Sequence, residues 1–136
     1  MFKYCICFPC FERNFSVLQS SVCSVGNNYH QYAGNNFVTA VFRHTGNRKW
    51  FAIAMRIPRA KLGLMGEGHV DVVNLKVSPE MIPSLVQESG VFPAYHMNKS
   101  HWVTAALDGT ASDEMVAFLT GVSFDLTAPK RKSKRQ

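Results

Sequence analysis

The sequence predicts an α+β domain, a two-layer sandwich in which helices pack on one face of an antiparallel sheet. Three observations carry that expectation. The apolar periodicity changes along the chain in the order helix, three strands, helix, strand, helix. The strand-like stretches are joined by short connections rich in Gly, Asn and Pro, which suit antiparallel neighbours. Each helical stretch has a single apolar side, which must be buried against another layer.

The first helix starts at Pro9, with Phe11, Phe15, Leu18 and Val22 recurring at steps of four, three and four. Gly26, Asn27 and Asn28 end it, and the segment up to Asn36 reads as loop. Residues 37–44 (FVTAVFRH) are β-branched and aromatic. Thr45, Gly46, Asn47 and Arg48 then give a turn, and residues 49–57 (KWFAIAMRI) return as its hairpin partner. On this second strand Phe51, Ile53, Met55 and Ile57 form the expected core face. Trp50, Ala52, Ala54 and Arg56 form the opposite one, either open to a ligand or covered by a neighbouring loop.

A connection through Pro58, Gly63, Gly66 and Gly68 leads to a third strand at residues 70–77 (VDVVNLKV). Ser78, Pro79 and Glu80 have the order of an N-cap, a first-position proline and a first-turn acid. The helix they open buries Ile82, Leu85 and Val86. Pro83 shortens it or opens it with a 3₁₀ turn, and Gly90 ends it. Residues 91–100 read as a polar and aromatic loop, and residues 101–108 as a fourth strand closed by Gly109. Ser112, Asp113 and Glu114 cap a last helix whose expected apolar side is Met115, Phe118, Leu119 and Val122. The expected organisation is an apolar, Cys-rich extension over residues 1–9, one domain over 10–128, and a basic tail over 129–136 without groups to bury.

At 136 residues the chain is long enough for one core and too short for two ordinary domains. Hydrophobic residues at 46% against 18% charged exclude an intrinsically disordered chain. No apolar run reaches the roughly 18–20 residues a spanning helix needs. The apolar start is short, broken by Pro9 and without a small-residue cleavage site, so a secretory signal is rejected. A cytoplasmic, monomeric protein with no membrane partner is expected.

The net charge of +6 is unevenly placed. Lys130, Arg131, Lys132, Lys134 and Arg135 lie in the tail. Without these five, ten basic residues face nine acidic ones and the balance is +1. The body nevertheless has no acid between Glu12 and Glu67, a stretch holding Arg13, Arg43, Arg48, Lys49, Arg56, Arg59 and Lys61. Such clustering gives a surface of one sign that attracts phosphates, or simply a solvated face. Cys5, Cys7 and Cys10, with His30, have the chemistry of a zinc set but not the paired spacing of a zinc motif. An apolar terminus is the favoured reading over metal binding, with reversible S-palmitoylation a lesser alternative, so no metal or cofactor is assigned.

Two stretches are similar to the signature of the MmcQ/YjbR family. One runs from Phe42, Arg43 and His44 through Lys49, Trp50, Phe51 and Ala52 to Pro58 and the Lys61, Leu62, Gly63, Leu64 run. The second comprises Asn74, Leu75 and Lys76, the segment PAYHMNKSHW over residues 93–102, then Leu107, Asp108, Gly109, Ser123 and Phe124. The resemblance covers residues 37–127 and departs from the family at the first ten residues, at the tail, and at Phe124, where many relatives have tyrosine. It implies a CyaY-like α/β sandwich and DNA binding through a pair of β-hairpin wings. Iron handling of the frataxin type is rejected. The first helix holds one acid, Glu12, where oxygen-ligated iron needs several.

The expected function is non-enzymatic binding of nucleic acid, double-stranded DNA ahead of RNA, with regulation as one use of it. Arg48 and Lys49 at the hairpin tip and Arg59 and Lys61 in the next connection supply the two wings. Arg43, Lys76 and Lys99 are further phosphate contacts. His96 joins the set through the 96–102 loop. Asn98 reads a base edge or caps its own turn, and Trp102 stacks on bases or fills core. The alternative is a small-molecule or peptide module that uses the 96–102 loop and the open sheet face. An enzyme is not expected. Ser, His and Asp residues are present, but no nucleophile elbow, phosphate loop or His-Glu-x-x-His occurs.

Overall fold

The computed structural model describes residues 28–34, 37–44 and 46–130, with side chains from Val41 onward. The expected first helix, the cysteine cluster and the tail beyond Lys130 lie outside the described residues. Six strands form one antiparallel sheet: β1 (Asn28–Gly34), β2 (Phe37–Arg43), β3 (Trp50–Pro58), β4 (His69–Lys76), β5 (Val91–Pro93) and β6 (Trp102–Ala106). Their order across the sheet is β1-β2-β3-β4-β6-β5. Among the described residues, two helices, α1 (Ile82–Leu85) and α2 (Asp113–Thr127), complete an α+β fold.

The β2–β3 hairpin forms where its alternation and turn signal place it. Arg43 pairs with Trp50, Ala52 with Phe42 and Ala54 with Ala40. Arg48 takes a left-handed φ of 60° in the turn. β1 corrects the expectation of a loop up to Asn36. Seven pairs join it to β2, from Asn28↔Arg43 to Gly34↔Phe37. Its sequence, NYHQYAG, has no apolar alternation, so periodicity does not mark it as a strand. β5 corrects a second loop expectation. It is three residues long, lies at the sheet edge and ends in Pro93, which edge position tolerates.

Ser78 and Pro79 open a 3₁₀ turn at Pro79–Met81 that passes into the single turn of α1, although the Ser78 side chain makes no capping bond. α2 is capped as its sequence indicates, Ser112 Oγ accepting from the Met115 amide at 3.1 Å.

From Ala52 onward the faces of β3 are the reverse of the expected ones; Phe51, at the register shift between Phe42↔Ala52 and Arg43↔Trp50, is a core residue on the helix side as expected, packed with Phe42 and Phe124. The register sets Ala52 beside Leu75 and Ala54 beside Val73, and those beside Val103 and Ala105. This face packs on Leu85 of α1 and on Val116 and Leu119 of α2. The alanines are fully buried because their small side chains let a helix approach the sheet closely. The bulkier Met55 and Ile57 face the other way, with Val70, Val72 and Ala106. Leu62 and Leu64 from the β3–β4 connection, together with Phe92 and Tyr95, cover them. Side-chain size alone does not say which face meets a helix.

The buried side of α2 is Val116, Leu119, Thr120, Ser123 and Thr127. Met115 and Val122 are half-buried, whereas Phe118 is 54% exposed, against expectation. Hydroxyls take the inner positions because they bond to the backbone: Thr120 Oγ1 donates to the Val116 carbonyl and Thr127 Oγ1 to that of Ser123.

His44, just past β2, is buried against Phe51 and Phe124, with ring centroids 5.1 and 4.2 Å away. Its Nε2 lies 2.8 Å from Thr127 Oγ1. The Thr127 proton is committed to the Ser123 carbonyl, so the imidazole Nε2–H donates. Burial lowers the His44 pKa, against a weaker opposing effect from the Phe124 backbone. The neutral ring is therefore the native one. His44 contributes stability in full above the ordinary histidine value of 6.5, and this is lost as pH falls toward the lower folded value. The unfolding free energy from denaturant titration is expected to fall on acidification through that window, by at most about 1.4 kcal/mol per pH unit. The His44→Gln variant, which keeps a donor for Thr127, is expected to show a flatter profile. A wild-type profile no steeper than the variant's would remove His44 as the cause.

Candidate nucleic-acid interface

Strand direction gathers several of the expected site residues at one end of the sheet. β2 ends at Arg43, β3 begins at its partner Trp50, β4 ends at Lys76 and β6 begins at its partner Trp102. The β2–β3 turn adds Arg48 and Lys49, both exposed. Three interstrand steps separate β2 from β6, so this row is roughly 14 Å wide at about 4.8 Å per step. No carboxylate occurs in residues 43–50, 76–78 or 98–102.

The guanidinium of Arg43 sits over the Trp50 ring at 5.3 Å. Its Nε is buried without a hydrogen-bond partner among the described residues. Trp50 remains 42% exposed, Trp102 is half-buried and Lys76 is half-buried. The Lys76 amide donates to Ser123 Oγ at 2.8 Å, which ties this end of the sheet to α2.

The C-terminus of α2 reaches the same end. Asn47 Nδ2 donates to the Thr127 carbonyl at 2.8 Å, and a Cβ on Gly46 would lie 3.1 Å from Pro129 Cγ. The chain therefore leaves the domain beside the hairpin tip. Exposed Lys130 follows, and after it in sequence come Arg131, Lys132, Lys134 and Arg135. What reads in sequence as a separate tail starts at the basic row.

Arg59 and Lys61 are not in this row. Their connection leaves the opposite end of the nine-residue β3, roughly 27–30 Å away at about 3.3 Å per residue. It does not project as a second wing. The Arg59 amide donates to the Gly68 carbonyl, the Arg59 Nε donates to the Met65 carbonyl, and Leu62 and Leu64 pack on the sheet. Arg59 also lies 4.0 Å from Asp108. Burial alone would raise the Asp108 pKa, but bonds from the Thr110 hydroxyl and amide, with the charge of Arg59, bring it below the ordinary value of 3.8.

The remaining residues belong to the loop before β6. Asn98 caps its own turn: its Oδ1 accepts from the Ser100 amide, and its carbonyl from the amides of His101 and Trp102. Its side chain therefore serves the turn. His96 is exposed at a left-handed φ of 55°, its ring 4.1 Å from that of Tyr95. Lys61, Lys99, His96 and Tyr95 line a solvent-open cleft of about 270 Å³ on the outer sheet face, with Leu62 and Phe92.

Residue-type reasoning passed over the groups that position these side chains. Asn74 and Thr104, a cross-strand pair with no exposed surface, hold the loop. Asn74 Nδ2 donates to the Tyr95 carbonyl at 2.8 Å, and Thr104 Oγ1 accepts from the Tyr95 amide at 2.9 Å. An asparagine between Val73 and Leu75, in the apolar middle of β4, is the signal that could have found them, since an unpaired buried amide is costly. Among the described residues, no helix is long and apolar enough to cross a membrane, and no His, Cys, Asp and Glu cluster could hold a metal ion.

The sequence model described as YjbR matches residues 28–126. The chain is 40% identical over 88 residues to the uncharacterized protein YyaQ of Bacillus subtilis, covering 65% of this chain and 75% of that one. It is 39% identical over 66 residues to the uncharacterized protein YjbR of Escherichia coli, covering 46% of this chain and 56% of that one. A crystal structure of a Pseudomonas syringae protein superposes with a TM-score of 0.76 at 38% identity, over 85% of this chain and 98% of the other. A Deinococcus radiodurans protein shares the fold alone, with a TM-score of 0.59 at 24% identity over 86% of this chain and 80% of the other.

Proposed function

This chain belongs to the YjbR family, and we propose that it binds the phosphate backbone of duplex DNA through the basic end of its sheet. The observation that carries the reading is the convergence there of Arg43, Arg48, Lys49 and Lys76, with Trp50 and Trp102 between them and the basic tail rooted beside the turn. Cations held at one end of the sheet, on strand ends and a tight hairpin turn, meet phosphate oxygens together, and each contact releases a counterion. A row of roughly 14 Å spans about four steps of a duplex at its 3.4 Å rise. Backbone contact of this kind positions the protein without reading sequence. It is an interface at one end of the sheet, not a pair of wings straddling the duplex, because the second connection lies at the other end of β3.

The test is fluorescence anisotropy of a labelled duplex, titrated across a salt series with the intact chain and with a chain truncated after Pro129. The truncated chain is expected to bind saturably, log K falling with log salt at a slope of about −3, as for three to four neutralised phosphates. Replacing Arg48, Lys49 and Lys76 together by alanine is expected to weaken it by roughly 10- to 30-fold. Binding that disappears with the tail, or that ignores the triple replacement, would overturn the reading.

A further inference from the structure

We propose that the cleft between the Arg59–Leu62 turn and the 94–99 loop is a binding site for a small organic anion, an apolar or aromatic body carrying one carboxylate or phosphate. This does not rest on the DNA reading, because the cleft lies on the outer face of the sheet and not in the row at its end.

The cleft has two halves of different chemistry. Leu62 and Phe92 supply apolar walls, and they belong to the cluster that covers the outer face of the sheet. Lys61 comes from the 3₁₀ turn, and Lys99 and His96 from the loop; no carboxylate lines the cleft. Neither lysine has an ion-pair partner among the described residues. Bringing two ammonium groups to one cleft is unfavourable by like-charge repulsion, and a bound anion reverses the sign of that interaction. A cavity of about 270 Å³ is near the lower end of small-molecule sites, which start at roughly 300 Å³. That size suits a single ring with its acid group, not a nucleotide or a peptide.

The loop is held as a site must be. Tyr95 is fixed on both sides of its backbone by the buried Asn74 and Thr104 pair, whose own side chains bond to each other. A satisfied polar network under a loop gives it one position. From that anchor the next residue, His96, turns left-handed, a conformation that is strained for a non-glycine residue. The turn sets the His96 ring edge-on against Tyr95 at the cleft.

The test is an amide-resolved NMR titration of the full chain with benzoate and with phenyl phosphate, using neutral benzamide and inorganic phosphate as controls. Saturable shifts are expected at Leu62, Phe92, Tyr95, His96 and Lys99 with either aromatic anion. Benzamide and inorganic phosphate are each expected to bind at least about tenfold more weakly, since each lacks one half of the recognition. The Lys61→Ala and Lys99→Ala double variant, altered only at exposed positions, is expected to lose about tenfold in benzoate affinity. The Arg48→Ala and Lys49→Ala pair is expected to leave it unchanged. Absence of saturation up to roughly 20 mM, equal shifts with benzamide, or shifts confined to the Arg43 and Lys76 end would overturn the proposal. Lys61→Ala alone separates the two sites: it is expected to weaken benzoate and leave duplex affinity as it was.

Discussion

Replacing Gly90 by alanine is expected to cost roughly 4 kcal/mol, enough to leave the domain marginal or unfolded. Two independent penalties act there. Gly90 has a φ of 78°, where a side chain is strained by about 1–2 kcal/mol. A Cβ would also stand 2.2 Å from the Ala111 amide nitrogen and 2.6 Å from the Thr110 carbonyl carbon. Both are backbone atoms, so no side chain can turn aside. The backbone of Gly90 cannot easily retreat either, because its carbonyl accepts from the Ala106 amide at 2.8 Å and begins the β5–β6 pairing. Gly109 separates the two terms. Its φ is 95°, yet a Cβ there meets nothing within 4 Å. Gly109→Ala should therefore cost only the conformational part, about 1–2 kcal/mol. Thermal unfolding of both variants is the measurement. A fall of roughly 14–20 °C for Gly90→Ala against about 4–10 °C for Gly109→Ala is expected, and equal falls would show that steric contact at Gly90 is relieved. The consequence reaches the cleft, since β5 carries Phe92 to its wall.

The Gly90 case also shows what the sequence could convey. It marks Gly90 as the end of a helix, whereas α1 ends at Leu85 and Gly90 lies at the end of the turns that follow, immediately before β5. That a strand follows at once, and that the glycine is wedged against residues 110–111, comes from tertiary packing that no local pattern encodes. The same division runs through the fold. β2, β3, β4 and β6 were legible because their β-branched and aromatic residues sit between turn signals. β1 was not, because an edge strand can be specified by its neighbour's free amides and carbonyls with little apolar alternation of its own. The hydroxyls of α2 misled for a related reason: Ser123 and Thr127 count as polar in a periodicity, yet backbone acceptors satisfy them and so they can be buried.

At the candidate site, sequence supplied the residue types and the structure supplied their grouping. Arg48 and Lys49 were visible as a basic turn, and Lys76 as a lysine at a strand end. Antiparallel pairing alone decides that Lys76 and Trp102 share their end with Arg43 and Trp50. The same pairing sends Arg59 and Lys61 to the far end. Lys61 and Lys99, separated in sequence by two strands and α1, meet at a cleft only because the β3–β4 connection folds back over the sheet.

Ser123→Ala is expected to combine a stability loss of about 2–4 kcal/mol with weaker DNA binding. The β3–β4 register pairs Ala52 with Leu75, so the next ladder position would set Phe51 opposite Lys76. The Ser123 hydroxyl takes part in that step instead, accepting from the Lys76 amide at 2.8 Å and donating to the Phe51 carbonyl. A buried hydroxyl from α2 thus relays a sheet hydrogen bond, and it fixes the spacing of the strand ends that carry Trp50 and Lys76. Alanine leaves a donor and an acceptor to find each other or remain unpaired in the core. If they remain unpaired, the desolvation of two backbone groups appears as lost stability. If the strands close to pair them, Lys76 moves relative to Arg43 and the basic row is altered. Thr120→Val is the control. It removes a hydroxyl from the same helix face that bonds only to the Val116 carbonyl, within the helix, so a cost below about 1 kcal/mol and unchanged DNA affinity are expected. Denaturant unfolding and duplex anisotropy on the two variants distinguish the cases. Equal stability of Ser123→Ala and Thr120→Val would mean that the relay contributes no more than an ordinary helix hydroxyl. A destabilised Ser123→Ala that still binds DNA as the wild type does would detach the strand-end spacing from the proposed interface.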